Sequence, residues 1–312
     1  MTRRPADPAP RLTARGFREI ICIQTISRAD LVYVRPVDLD ETLGFLAGGA
    51  RVLAGATDIF PAAGERPLAG DYVDVSNLDS LRGIRIDGET VRIGAAATWS
   101  DIVRADLPPA FRALKAAARE IGAVQIQNCG TIGGNLCNAS PAADGAPALL
   151  ILDAVVELAS KRGSRRLPLS QFITGNRRTL LARDEIMTAV ITPAPAPTLR
   201  SAFLKLGARR YLVISIAMVA AALDVVDGIV RDARIAVGAC SAVARRLASA
   251  EARLIGATAE AGLGQAIEAR DLASLSPIDD IRATAEYRRD AALTLTRRAI
   301  EACLRGEAGG VV

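Results

Sequence analysis

The residue pattern predicts an α+β protein in two parts, and three observations predict it. Strand-like and helix-like segments mix from Leu31 to Ala159. A Pro-Ala tract, Pro193-Ala194-Pro195-Ala196-Pro197, then interrupts the chain and reads as a linker. Beyond it, long strand-like runs are followed by helical ones, the order expected of an α+β domain. At 312 residues the chain can build more than one core.

Residues 1–30, with Pro5, Pro8 and Pro10, read as an N-terminal arm carrying a short apolar piece, Ile20 to Ile23. Leu31-Val32-Tyr33-Val34 is a strand stopped by Pro36. Asp38 and Glu41 have capping-box spacing for a helix that ends near Gly48-Gly49. Arg51 to Ala54 and Tyr72 to Val75 are strands. Ile84 and Ile86, then Val91 and Ile93, alternate with polar residues around Asp87-Gly88, a hairpin whose connection runs from Asp87 to Thr90. Thr98 and Asp101 make a second capping box. Pro109 to Ile121 is a helix stopped by Gly122. A polar, Gly-rich loop follows, then an apolar segment from Ala146 to Ala154, a strand from Val155 to Ala159 and a turn at Lys161 to Ser164. After the linker come strands Arg200 to Leu206, Ala217 to Val226 and Ile229 to Val237, then helices Ala244 to Leu254, Thr258 to Arg270 and Ile281 to Leu304.

Composition excludes several functions. The chain contains no histidine, which rules out Ser-His-Asp and Cys-His catalysis and His-based zinc hydrolysis. If it is an enzyme, a bound cofactor carries the chemistry. The five cysteines are widely spread with no CxxC, so neither a disulfide framework nor a zinc or iron–sulfur site is expected. Net charge is +5, from scattered arginine pairs, and aromatics are few, so no nucleic-acid platform is expected. No apolar run reaches the roughly 18 residues of a membrane span. The first 20 residues lack the apolar middle of a secretory signal, and a cytoplasmic address is expected.

Two small-residue segments stand out. The first is Leu53-Ala54-Gly55-Ala56-Thr57-Asp58-Ile59. The second runs from Asn128 to Pro141 and contains Thr131-Ile132-Gly133-Gly134-Asn135. Small residues let a backbone approach a ligand and set successive N–H groups around an anion. Neither segment is a P-loop or a GxGxxG fingerprint. Taken alone, either could be a tight turn whose glycines serve only its geometry. The polar residues crowded beside the second, Asn128, Thr131, Asn135, Asn138 and Ser140, exceed what a turn requires.

At these residues the sequence resembles the FAD-binding medium subunit of the molybdenum hydroxylases, the family of carbon monoxide and xanthine dehydrogenases. Thr131 to Leu136, continued by Cys137-Asn138-Ala139-Ser140-Pro141-Ala142-Ala143-Asp144, carries most of the likeness. Leu31 to Pro36, Leu53 to Asp58, Ser201 to Lys205 and Tyr287-Arg288-Arg289 add to it. The resemblance implies a two-subdomain FAD-binding fold of the vanillyl-alcohol-oxidase type over residues 31–195, divided at about residue 80, then a C-terminal α+β domain over 198–306.

It also implies site roles. Leu53 to Ile59 would wrap the FAD pyrophosphate, with Thr131 to Asn135 on the opposite side. Asp144 would lie near the ribose and adenine, Ile121 and Met187 would line the cofactor, and Lys205 would lie near the flavin. Lys205 is one of only three lysines; a compact ammonium there would favour reduced, anionic flavin, while the plain alternative is a surface lysine at a strand end. Asp144 could equally cap a helix. The implied FAD is non-covalent, since no histidine can anchor it. The implied partners are a large molybdopterin subunit and a small [2Fe–2S] subunit, in a dimer of heterotrimers, with NAD⁺, a quinone or another electron acceptor. A self-sufficient FAD-dependent oxidoreductase of the same fold is the competing reading, and a binding subunit that has lost its cofactor is a third.

Overall fold

The computed structural model describes residues 32–311. The expected arm, its apolar piece and Leu31 lie outside the described residues. The first layer is a small parallel sheet in the order Tyr33–Val34, Tyr72–Asp74, Arg51–Leu53. Helix Leu39–Ala47 packs on it through Leu43 and Leu46, which share a core with Val73 and Val75. Asp38 caps this helix by accepting from Glu41 N, but the Glu41 carboxylate takes the Val37 N–H, one residue earlier than a full capping box requires.

A five-stranded antiparallel sheet follows, in the order Ile84–Ile86, Thr90–Gly94, Ile186–Pro193, Val155–Ser160, Gly163–Pro168. Its middle strand, Ile186–Pro193, escaped the sequence reading. It is buried along nearly its whole length, so its residues do not alternate, and periodicity gives no sign of a strand.

The segment after Gly122 folds differently from the expected loop. Two short helices, Val124–Cys129 and Ile132–Asn138, occupy it. The second forms because Thr131, in extended backbone, accepts from Gly134 N. The run expected from Pro109 to Ile121 is a 3-10 turn, Pro109–Phe111, leading into helix Arg112–Glu120. The apolar segment expected from Ala146 to Ala154 is helical only in its first part, within helix Gly145–Leu150.

The last sheet runs Arg245–Arg246, Ile229–Gly238, Ala217–Val226, Arg200–Leu206, Gly309–Val311. Both faces are buried. Phe203, Met218, Ala220 and Ala236 pack into the core of the preceding layers, while Leu204, Val219, Ala221 and Ile235 face a second core closed by the long helix Ala285–Arg305. A strand buried on both faces reads as a continuous apolar run, as Ala217 to Leu223 does. No helix of the described residues is long and apolar enough to cross a membrane.

Three expected helices are shorter than the sequence suggests. Arg245–Arg246 pairs with Ala236 and Val237 as an edge strand, so the next helix starts at Ala248. Thr258 to Arg270 breaks into two 3-10 turns, because Gly262 adopts positive φ and Gly264 packs against the Arg297 main chain. The final helix starts after Thr284, because Asp280 folds the preceding residues into a turn by accepting from Arg282 N and Ala283 N.

Candidate functional site

Strand Arg51–Leu53 ends at the carboxyl edge of the parallel sheet, where strand pairing stops and backbone donors become available to ligands. Ala54 to Ile59 turns there. Gly55 lies flat on the Cys129 carbonyl, and a Cβ at Gly55 would overlap that oxygen. Ala56 holds φ of 55°, a left-handed conformation uncommon for any residue but glycine. Among the described residues, the main-chain N–H groups of Gly55, Ala56, Thr57, Asp58 and Ile59 reach no acceptor. The loop therefore presents consecutive unspent donors.

The second segment does not offer an amide cradle, contrary to the symmetric picture of two such loops. Ile132 N donates to Ala97 O at 3.0 Å and Gly133 N to Ala95 O at 2.9 Å. Gly134 N is taken by Thr131 Oγ1 at 3.0 Å, and Asn135 N by Thr131 O at 3.0 Å. What it offers is surface. Gly134 is exposed, and an added Cβ there would meet only Thr131 Oγ1, at 2.9 Å. Gly133 is buried, and its Cβ would lie 2.7 Å from Ala95 O, so this glycine serves packing. Asn135 Oδ1 is buried with no hydrogen-bond partner in the described structure.

The two segments face each other across a cavity of about 550 Å³. Of the residues singled out in the sequence, Ala54, Gly55, Ala56, Thr57, Asp58, Ile59, Ile121, Thr131, Gly133, Gly134, Asn135 and Met187 line it. Leu53 and Ile132 stand behind the walls as buried core side chains. Cys137 also lines the cavity, and burial pushes its thiol up to about 12, so it is no nucleophile at neutral pH.

Two contributors were missed. Trp99, the chain's one tryptophan, is 1% exposed and lines the cavity, with Gly130 and Gly145 packed against its ring. Its position, directly after the Thr98 cap, was the available clue. Arg177 bridges the two segments, bonding Asn138 Oδ1 and lying 3.9 Å from Asp58 Oδ1. No sequence pattern marks it.

Asp144 and Lys205, expected beside opposite ends of a cofactor, are instead held by each other. Lys205 Nζ lies 2.6 Å from Asp144 Oδ2, and both side chains are almost fully buried. Ser215 Oγ donates to Asp144 Oδ1 at 2.6 Å, and Nζ also donates to Glu120 O at 3.2 Å. Neither residue lines the cavity. Lys205 is no surface lysine, and the Asp144 side chain makes no capping bond. Burial pushes the Asp144 carboxyl above the ordinary carboxylate range, with Lys205 and Ser215 pulling against it. Burial likewise raises Glu120, with Lys205 and Arg210 opposing.

The donor set suits a dinucleotide. Unspent amides match a diphosphate, the open glycine face admits close approach, the lone carboxamide oxygen awaits a donor, and Ile121, Met187 and Trp99 supply an apolar wall.

Comparison with known proteins agrees. The family model described as the FAD binding domain in molybdopterin dehydrogenase matches residues 24–195, and the CO dehydrogenase flavoprotein C-terminal domain matches 202–303. The xanthine dehydrogenase FAD-binding subunit of Escherichia coli O157:H7 is 32% identical over 89% of this chain and 97% of its own length. The nicotinate dehydrogenase FAD-subunit of Eubacterium barkeri is 39% identical over 60% of this chain and 66% of its own. A chain of carbon monoxide dehydrogenase from Hydrogenophaga pseudoflava, solved in a form lacking the Mo-pyranopterin moiety, superimposes with a TM-score of 0.81 at 28% identity, over 91% of this chain and all of that one. This chain belongs to the FAD-binding subunit family of the molybdopterin dehydrogenases.

Proposed function

We propose that this chain relays electrons, as the flavin-bearing subunit of a molybdopterin-dependent dehydrogenase, from a [2Fe–2S] subunit to NAD⁺ or another acceptor. One observation carries the reading: a cavity with unspent amides on one side and an open glycine face with an unpaired Asn135 oxygen on the other. FAD, when bound, supplies exchange between one-electron and two-electron transfer. The protein's own task is to bind and orient. The amides of Gly55 to Ile59 hold the diphosphate, Gly134 admits the cofactor, and Ile121, Met187 and Trp99 exclude water. Leu53 and Ile132 brace these walls from within the core. Asp144 and Lys205 act from behind them.

In this reading residues 31–195 form the FAD-binding domain, in two subdomains meeting near residue 80, and 198–306 form the C-terminal domain. The partners are a large molybdopterin subunit and a small [2Fe–2S] subunit, paired as a dimer of heterotrimers in the cytoplasm. The relatives are FAD subunits and medium chains of dehydrogenases, which supports an assembly of several subunits.

The test is purification with and without the co-expressed partners. The expected product shows flavin absorbance bands, releases free FAD on denaturation, and carries molybdenum and iron when the partners are present. Colourless protein that takes up no added FAD refutes the reading. Turnover of an organic substrate by the isolated chain would favour the self-sufficient oxidoreductase.

A further inference from the structure

The buried pair behind the cavity wall has a role that its contacts define. Lys205 sits on strand Arg200–Leu206 of the last sheet, 2% exposed. Its ammonium holds Glu120 O, the carbonyl immediately before Ile121, and Ile121 lines the cavity. Asp144 immediately precedes Gly145, whose Cα packs under Trp99 and Asn135 Oδ1; a Cβ there would lie 2.5 Å from the indole and 3.1 Å from that oxygen. Ser215, at the far end of the connection to the next strand, donates to the other Asp144 oxygen. Both carboxylate oxygens thus accept, as an ionised carboxylate does. One ion pair joins two separate stretches of cavity wall to the last sheet, and its charges cancel within 2.6 Å.

We propose that Asp144 and Lys205 are a positioning pair: together they fix the Ile121 and Asn135 walls against the last sheet, and Asp144 neutralises Lys205 so that the ammonium places no net charge beside the cofactor. This rests on the reading of the cavity as the FAD site. It differs from a lysine acting alone on the flavin, and the difference is measurable. Removing the ammonium leaves an isolated buried carboxylate, which neutralises itself by taking up a proton; net charge behind the wall is unchanged. Removing only the carboxylate charge leaves the ammonium donating to Glu120 O and to the amide oxygen that replaces the carboxylate, acceptors that favour its charged form, and an uncompensated buried cation favours the more negative, reduced cofactor. Glu120 and Arg210, the other charged groups acting in this region, are common to every variant.

The experiment compares the full-length parent chain with Lys205→Met, Asp144→Asn and the double variant. FAD affinity is read by quenching of Trp99, and the two-electron potential of bound FAD by redox titration. Lys205→Met is expected to bind FAD at least roughly tenfold more weakly, as the walls loosen, yet to keep the parental potential. Asp144→Asn preserves an acceptor for the ammonium. It is expected to shift the oxidised-to-reduced affinity ratio at least about tenfold toward reduced FAD, equal to about 30 mV upward. The double variant is expected to return to the parental potential. A potential lowered by Lys205→Met, or unmoved in Asp144→Asn, overturns the neutralised pair, and parental FAD affinity in Lys205→Met overturns the positioning role. Should Lys205→Met fail to fold, the isosteric Asp144→Asn still decides through its potential. A parent that binds no FAD overturns the cavity reading itself, a result separable from variants that match a binding parent.

Discussion

Adjacent glycines at 133 and 134 should fail in opposite ways when given side chains. Gly134→Val puts its branched carbons into the cavity. Its Cβ meets only the Thr131 hydroxyl, 2.9 Å away, a tip that can rotate. The worst consequence for the fold is loss of that cap, about 1 kcal/mol, partly offset because valine is a better helix residue than glycine. Inside the cavity the same carbons occupy cofactor space. Overpacking costs about 1–3 kcal/mol, which weakens FAD binding about 5- to 150-fold. Gly133→Ala behaves the other way. Its methyl would sit 2.7 Å from Ala95 O and 2.8 Å from Ala95 Cβ, against backbone that Gly133 N itself bonds at 2.9 Å. That overlap falls on the fold, at about 1–3 kcal/mol. Urea midpoints of flavin-free protein and FAD titration through Trp99 separate the two effects. Parental FAD affinity in Gly134→Val would refute contact between this helix face and the cofactor. An unchanged urea midpoint in Gly133→Ala would refute the packing argument.

Three further outcomes follow from single contacts. Thr131→Ala removes the cap that accepts from Gly134 N and should lower stability by about 1 kcal/mol, read by urea denaturation. Asn135→Leu removes a buried oxygen that lacks a partner, so flavin-free protein should hold or gain thermal stability while FAD affinity falls; a stability loss would show that the oxygen is paired. The Asp280 carboxyl is held at about 2 by the Arg282 and Ala283 amides and the Arg288 guanidinium, below its ordinary value of 3.8. A depressed folded-state value contributes stability above the unfolded pKa and loses it as pH falls. Asp280→Asn should therefore be less stable than the parent at pH 7, with the gap closing between pH 4 and 2 in urea titrations.

Much of the fold is legible because local rules agree with tertiary ones. Arg200–Leu206 and Ala217–Val226 end where the sequence places them, since Asp227-Gly228 supplies a hairpin turn and apolar patterning stops there. The strand Ile186–Pro193 is illegible for the opposite reason: it is central and covered on both faces, so no period-two alternation marks it, although the Pro-Ala tract stands at its end. Thr131 stands in the sequence as one polar residue of a Gly-rich loop, yet its hydroxyl caps a helix, a role that only the backbone conformation decides. Arg288 forms one of the scattered arginine pairs, with Arg289, and nothing local marks it as buried. It is 3% exposed and donates to Ile216 O, Ala239 O and Asp280, three acceptors that come together only in the folded chain. The ion pair of Asp144 with Lys205 joins residues 61 positions apart, beyond the reach of any local pattern.

The recognisable part of this site in sequence is its smallest residues, and physics gives the reason. A histidine-free chain that binds a redox cofactor needs no reactive side chain at the site, only room and unspent donors. Room is set by absent side chains: Gly134 leaves the helix face open, while Gly55 on the Cys129 carbonyl, Gly133 on Ala95 and Gly145 under Trp99 let the walls pack closely behind it. Donors are set by a backbone path, and Ala56 at φ of 55° shows that path held in a conformation that its side chain does not favour. Strain of this kind costs about 1–3 kcal/mol and persists only where surrounding packing enforces it. Ala56→Gly should thus relieve strain yet widen the loop's conformational choices, binding FAD more weakly because five amides must be ordered again at each association. Equal or tighter FAD binding by Ala56→Gly, measured by the same Trp99 titration, would mean that the loop is not pre-organised by its neighbours and that the amides are ordered by the cofactor.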